Sequence, residues 1–90
     1  MQVGAHIVVK GMVQGVGFRY FVLRHAVKLG VSGFVKNLFR GEVEIEVHGE
    51  RSAIEGLIKE VKVGPRAAHV TDLKIEWKQF DNSVISFEVR

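Results

Sequence analysis

Ninety residues suffice for one domain, expected to span residues 1–90, and are too few for two independent cores. The chain has no Cys, which excludes disulfides, thiolate metal sites and cysteine nucleophiles, and its 47% apolar and 26% charged residues exclude a disordered chain. A net charge of +3 permits an anionic partner without requiring one, and no apolar run approaches the ~20 residues of a membrane span.

The opening residues, Met1 to His6, lack the basic-then-apolar pattern of a secretory leader, so a cytoplasmic protein is expected. His6-Ile7-Val8-Val9-Lys10 is short and β-branched and reads as a strand. A glycine-punctuated loop follows, from Gly11 to Gly17. From Phe18 the period changes: Phe18, Val22, Ala26 and Leu29 share one helical face, and Gly30 suits a left-handed stop. Tyr20 and Phe21 are expected to pack within this helix, and Arg24 and Lys28 to form an exposed basic face.

Val31 to Asn37 reads as a second strand. Glu42 to His48 alternates without a break, with one face apolar and the other, Glu42, Glu44 and Glu46, expected to be solvated. The short link Leu38-Phe39-Arg40-Gly41 makes these two strands a hairpin. Ser52-Ala53-Ile54-Glu55 has the form of a capping box, and Ile54, Leu57, Ile58 and Val61 then follow at helical spacing up to Gly64-Pro65. Val70 to Lys78 alternates again, which places Leu73, Ile75 and Trp77 in the core. Asp81-Asn82-Ser83 is a turn, and Ile85, Phe87 and Val89 are the inner face of a last strand. The four His are scattered, without metal-ligand spacing, and read as surface or hydrogen-bonded side chains.

The order is β-α-β-β-α-β plus one strand. Each strand has one apolar face and both helices are amphipathic. Two helices on one side of a mostly antiparallel sheet satisfy that pattern, an α+β sandwich of the ferredoxin-like kind. The architecture hosts many functions, so it names none.

The segment Gln14-Gly15-Val16-Gly17-Phe18-Arg19 joins the first strand to the first helix. Glycines allow a tight turn and clear space for a ligand. Successive N–H groups there can converge on an anion at the positive end of a helix. Arg19 would add a planar fork of donors. No Gly-Lys-Ser/Thr is present, and Tyr20 stands where a dinucleotide fingerprint needs its third glycine. On these residues alone, a phosphate loop and a plain turn with a solvated Arg both remain open.

Val9-Lys10-Gly11-Met12-Val13-Gln14-Gly15-Val16-Gly17-Phe18-Arg19 resembles the first signature of the acylphosphatases. Gly33-Phe34-Val35-Lys36-Asn37, with Gly41, Val43 and Gly49 after it, resembles their second. Gly30 and Gly64-Pro65 also fit, and Phe34 keeps an aromatic where the family commonly has Trp. The resemblance implies hydrolysis of the carboxyl–phosphate bond of acyl phosphates, with the ferredoxin-like fold. It implies that Arg19 and the backbone of Gln14, Gly15, Val16, Gly17 and Phe18 hold the phosphate and that Asn37 orients the attacking water. It implies neither metal nor cofactor. The partners are then a small acyl phosphate and inorganic phosphate, not nucleic acid or membrane.

Two other readings use the same architecture. RNA-binding modules stack bases on such sheets, but the Glu42, Glu44 and Glu46 strand would repel phosphates. An acylphosphatase-like domain serving a larger assembly, as at the start of hydrogenase-maturation proteins, would keep the loop, and so would a phosphate- or ligand-binding module without turnover. The chain's end just after the last strand leads us to expect a free-standing enzyme.

Overall fold

The computed structural model describes residues 1–90. Seven elements follow in the expected order: β1 (Gln2–Met12), α1 (Phe18–Leu29), β2 (Ser32–Asn37), β3 (Val43–Glu50), α2 (Arg51–Val63), β4 (His69–Lys78) and β5 (Phe87–Val89). The sheet runs β4-β1-β3-β2-β5. Three ladders are antiparallel, and β5 lies parallel to β2. Both helices contribute their buried residues to a single core over one face of the sheet.

Alternation builds that core. Ala5, Ile7 and Val9 of β1 and Val43, Ile45 and Val47 of β3 all point to the helix side and are fully buried. Phe18, Val22 and Ala26 of α1 and Ile54, Leu57, Ile58 and Val61 of α2 close over them. Helix α1 stops in a Schellman arrangement: Gly30 adopts φ 72°, its N–H donates to Val27, and the Val31 N–H donates to Ala26. Leu29 departs from the expected buried face and is 36% exposed, leaning towards Gly56 of α2.

Strand β1 begins earlier than its β-branched run suggests. Gly4 carries no strand signal, yet it is buried there because His48 lies across it; a Cβ would come within 2.7 Å of the imidazole. At the other end a register shift at Lys10/Gly11 lets β1 continue alongside β4 to Met12.

The capping box does not form. Strand β3 runs straight into α2, so the helix opens at Arg51 and Ser52 is already inside its first turn. The Met1 carbonyl accepts the Arg51 N–H, and Glu55 pairs with Arg51 Nε at 3.4 Å. Trp77 is 38% exposed rather than core, because β4 is an edge strand; the Arg51 guanidinium stacks 4.2 Å from its ring centroid. Ile85 is exposed, because the chain rejoins the sheet only at Phe87, where Gly33 N–H donates to the Ser86 carbonyl.

The face without helices is not a bare row of solvated acids. Glu44 pairs with His6 at 2.7 Å and Lys36 at 3.6 Å, and Glu42 lies 3.8 Å from Lys10. Glu46 pairs with His48 at 2.8 Å and Lys78 at 2.9 Å. Burial pushes the Glu46 carboxyl up, but the hydrogen bonds from Lys78 and His48 and the charge of Lys78 outweigh it and hold it below the usual range. His48 is itself buried. Its Nδ1 accepts the Asp81 N–H at 3.2 Å, which assigns the ring proton to Nε2 and to Glu46. His48 thus ties the β4–β5 connection to the sheet. Asp81 in turn accepts the hydroxyl and the N–H of Ser83, the expected turn, and these hold its carboxyl low.

Candidate functional site

The β1–α1 loop, the start of α1 and the end of β2 meet at one edge of the core. They enclose a cavity of about 160 Å³ lined by Val13, Gly15, Gly17, Phe18, Arg19, Tyr20 and Asn37. Arg19 and Asn37, 18 positions apart in sequence, therefore face the same space.

Each part has a local cause. Val13 and Phe18 are buried and anchor the loop at both ends. Between them Gly15 and Gly17 adopt φ 74° and 77°, the left-handed region that L side chains rarely occupy. A Cβ at either would meet no atom within 4 Å, so the protein's own packing leaves the space open. Gly17 is the N-cap of α1 and supplies no side-chain cap. The first turn holds no acidic residue either. The helix's leading N–H groups thus keep their positive end uncompensated. The first bond of the helix is Phe21 N–H to the Gly17 carbonyl; the N–H groups of Gly15, Val16 and Gly17 donate to no protein acceptor.

Arg19 lies in that first turn, half-buried. Its Nη1 donates to the main-chain oxygen of Arg90 at 2.8 Å, which fixes one side of the guanidinium beside the end of β5. Arg90 is held there in turn: its N–H donates to Val35 and its own guanidinium stacks 4.1 Å from the Phe34 ring centroid. Asn37 is the last residue of β2, paired with Val43 in the ladder and exposed to the cavity's mouth.

Two expected loop residues do not line the cavity. Val16 packs on the core. Gln14 turns its side chain to the β2–β3 hairpin, donating from Nε2 to the carbonyls of Leu38 at 2.7 Å and Glu42 at 2.8 Å. One lining residue was missed. Tyr20, expected to pack in the helix, is 58% exposed at the cavity's rim, while Phe21 packs against Phe18 and His25. Its signal was its place: it adjoins Arg19 in the first turn and falls off the Phe18–Val22–Ala26 stripe.

The sequence profile of the acylphosphatases matches residues 5–89. The chain belongs to the acylphosphatase family. A curated acylphosphatase of Caldivirga maquilingensis is 46% identical over 89 residues, 98% of this chain and 94% of that protein. The crystal structure of the Bacillus subtilis acylphosphatase superposes with a TM-score of 0.95 at 36% identity, covering 98% of each chain. The fold also occurs within a larger protein. Full-length HypF, solved in a phosphate- and nucleotide-bound form, matches all of this chain at 29% identity and a TM-score of 0.88, over 12% of its own length.

Proposed function

We propose that the cavity takes the phosphate of an acyl phosphate and that the chain hydrolyses its carboxyl–phosphate bond, giving a carboxylate and inorganic phosphate. The class of reaction follows from the family: the chain is a hydrolase of the acylphosphatase type. The roles rest on one observation, that Arg19, uncapped N–H groups and Asn37 border a single cavity.

Arg19 and the N–H groups of Gly15 through Phe18 hold the phosphoryl oxygens, and their donors stay in place as charge builds on those oxygens. No metal is needed for that stabilisation. Asn37 holds water through its amide, since a neutral amide cannot act as a strong base. A loose transition state asks for an oriented water more than for hydroxide. The water oxygen bonds phosphorus as the bond to the carboxylate oxygen breaks. The electron pair leaves with the carboxylate, whose acid has a pKa on the order of 4, so no general acid is required. A small-molecule substrate, rather than nucleic acid or membrane, and a cytoplasmic location belong to the same proposal. No helix is long and apolar enough to cross a membrane.

The deciding measurement is phosphate release from benzoyl phosphate, with chelator present, for wild type beside Asn37→Ala. Turnover by wild type and its near-abolition in Asn37→Ala, with inorganic phosphate still inhibiting, is the expected result. No turnover by folded wild type would leave a phosphate-binding module. Equal loss of phosphate binding in the mutant would refute the separate role of Asn37.

A further inference from the structure

Gln14 stands behind the cavity rather than in it. Its side-chain amide has two hydrogens and the structure gives each an acceptor: the Leu38 carbonyl at 2.7 Å and the Glu42 carbonyl at 2.8 Å. Those carbonyls are the two ends of the β2–β3 hairpin link. The hairpin's own bonds also converge there, with Leu38 N–H donating to Glu42 and Gly41 N–H to Leu38. The amide is half-buried, so water does not freely replace it. On one side Gln14 is bonded to Gly15 of the cradle; on the other it holds Leu38, which is bonded to Asn37. One side chain therefore spans the two halves of the site by the shortest covalent route each allows.

That span is needed. The β2–β3 ladder ends at the Asn37–Val43 pair, and beyond it the link is exposed, with Phe39 entirely in solvent. Asn37 thus adjoins a solvent-facing turn rather than the middle of the sheet, and such connections are the more mobile parts of a fold. Water attack on phosphorus tolerates little misplacement; an error of about 1 Å can cost on the order of 100-fold in rate. A fixed tie between cradle and hairpin removes that freedom.

We infer that Gln14 is a positioning residue, which sets the distance from the phosphate cradle to the Asn37 amide through its two hydrogen bonds to the hairpin. The inference rests on the proposed roles of the cradle and Asn37. The Gln14 side chain does not line the cavity and spends both amide hydrogens on the hairpin, so its loss acts on kcat and spares phosphate affinity.

Gln14→Glu is isosteric and replaces both donors with acceptors that oppose the two carbonyls. Two carbonyls facing a carboxyl favour its protonated form, and one O–H then restores one bond. At neutral pH kcat should fall on the order of 10- to 100-fold, with the inhibition constant for inorganic phosphate within about twofold of wild type. As pH falls towards about 5, kcat of the variant should recover relative to wild type. Gln14→Met removes both bonds and should show the loss without the acid recovery. On the Asn37→Ala background, Gln14→Glu should cost nothing further, since the group it positions is gone. Melting curves establish that each variant is folded, and the double-mutant comparison needs only one folded Gln14 variant. Phosphate affinity falling in step with kcat, a Glu variant without acid recovery, or additive losses with Asn37→Ala would each overturn the inference. Wild type that fails to hydrolyse benzoyl phosphate would instead overturn the reading of the site.

Discussion

Gly17→Ala should produce a folded protein with a damaged anion cradle. Gly17 sits at φ 77° and ψ 20°, inside the left-handed region. An alanine there costs about 1–2 kcal/mol in backbone strain. No steric term adds to it, because the new Cβ meets nothing within 4 Å. A domain of this size loses about 4–8 °C of melting temperature per kcal/mol, so Tm should fall by roughly 4–16 °C. The effect on binding has a different origin. The methyl group enters a lining of only seven residues around about 160 Å³, beside N–H groups that must approach the phosphate closely. Loss of one charge-assisted hydrogen bond, about 1.5–3 kcal/mol, weakens phosphate on the order of 10- to 100-fold. Thermal unfolding by circular dichroism reads the first quantity, and competitive inhibition by inorganic phosphate reads the second. Gly33→Ala is the contrast, since its Cβ would collide with the Glu46 carbonyl inside the sheet and should prevent folding. A folded Gly17→Ala protein that binds phosphate as tightly as wild type would refute the placement of the anion at this loop.

Arg19→Ala should weaken phosphate inhibition and turnover together, unlike Asn37→Ala; unchanged phosphate affinity would remove Arg19 from the binding role. Leu57→Ala, at a fully buried position facing the sheet, should destabilise by about 2–5 kcal/mol in urea unfolding without altering KM of the remaining folded enzyme. The Glu46 carboxyl is held below its ordinary value of 4.5, so its contribution to stability is complete above that value and is lost as pH falls through the lower folded value. Acid unfolding followed by circular dichroism should therefore be less steep below about pH 4.5 in Glu46→Gln than in wild type. Identical acid profiles would show that the Lys78 and His48 pairing does not stabilise the ionised form.

Periodicity carried most of the fold into view. Helix α2 could be read from Ile54, Leu57, Ile58 and Val61, because an unbroken apolar stripe has one helical interpretation. Where the reading missed, a distant neighbour had decided the outcome. Gly4 joins β1 because of His48, 44 positions away, and Ser52 fails to cap because β3 leaves no loop before α2. Trp77 and Ile85 looked inward by alternation, but alternation does not reveal which strand is an edge or where a short strand rejoins its sheet. At the site, the loop glycines and Arg19 fit both a phosphate loop and a plain turn, and only the family likeness of the first motif favours the former. Asn37 was ambiguous alone, and its assignment depended on a second motif with a family likeness. Gln14 was read as part of the phosphate loop because its tie to residues 38 and 42 exists only once the hairpin is folded.

The guanidinium of Arg19 is braced by the last strand, and this bears on the order of folding. Strand β5 can dock only on β2, some 50 positions earlier, and β1 must find β4 across nearly the whole chain. Pairings at such separations raise the contact order, which places folding towards the slower end of small domains, in milliseconds to seconds. The cradle and the hairpin can meet when β1 pairs with β3, before β4 and β5 have docked. The Arg19–Arg90 contact must wait for β5. A refolding chain would then regain its buried core before its full affinity for phosphate, and the interval between those two signals would time the docking of a three-residue strand.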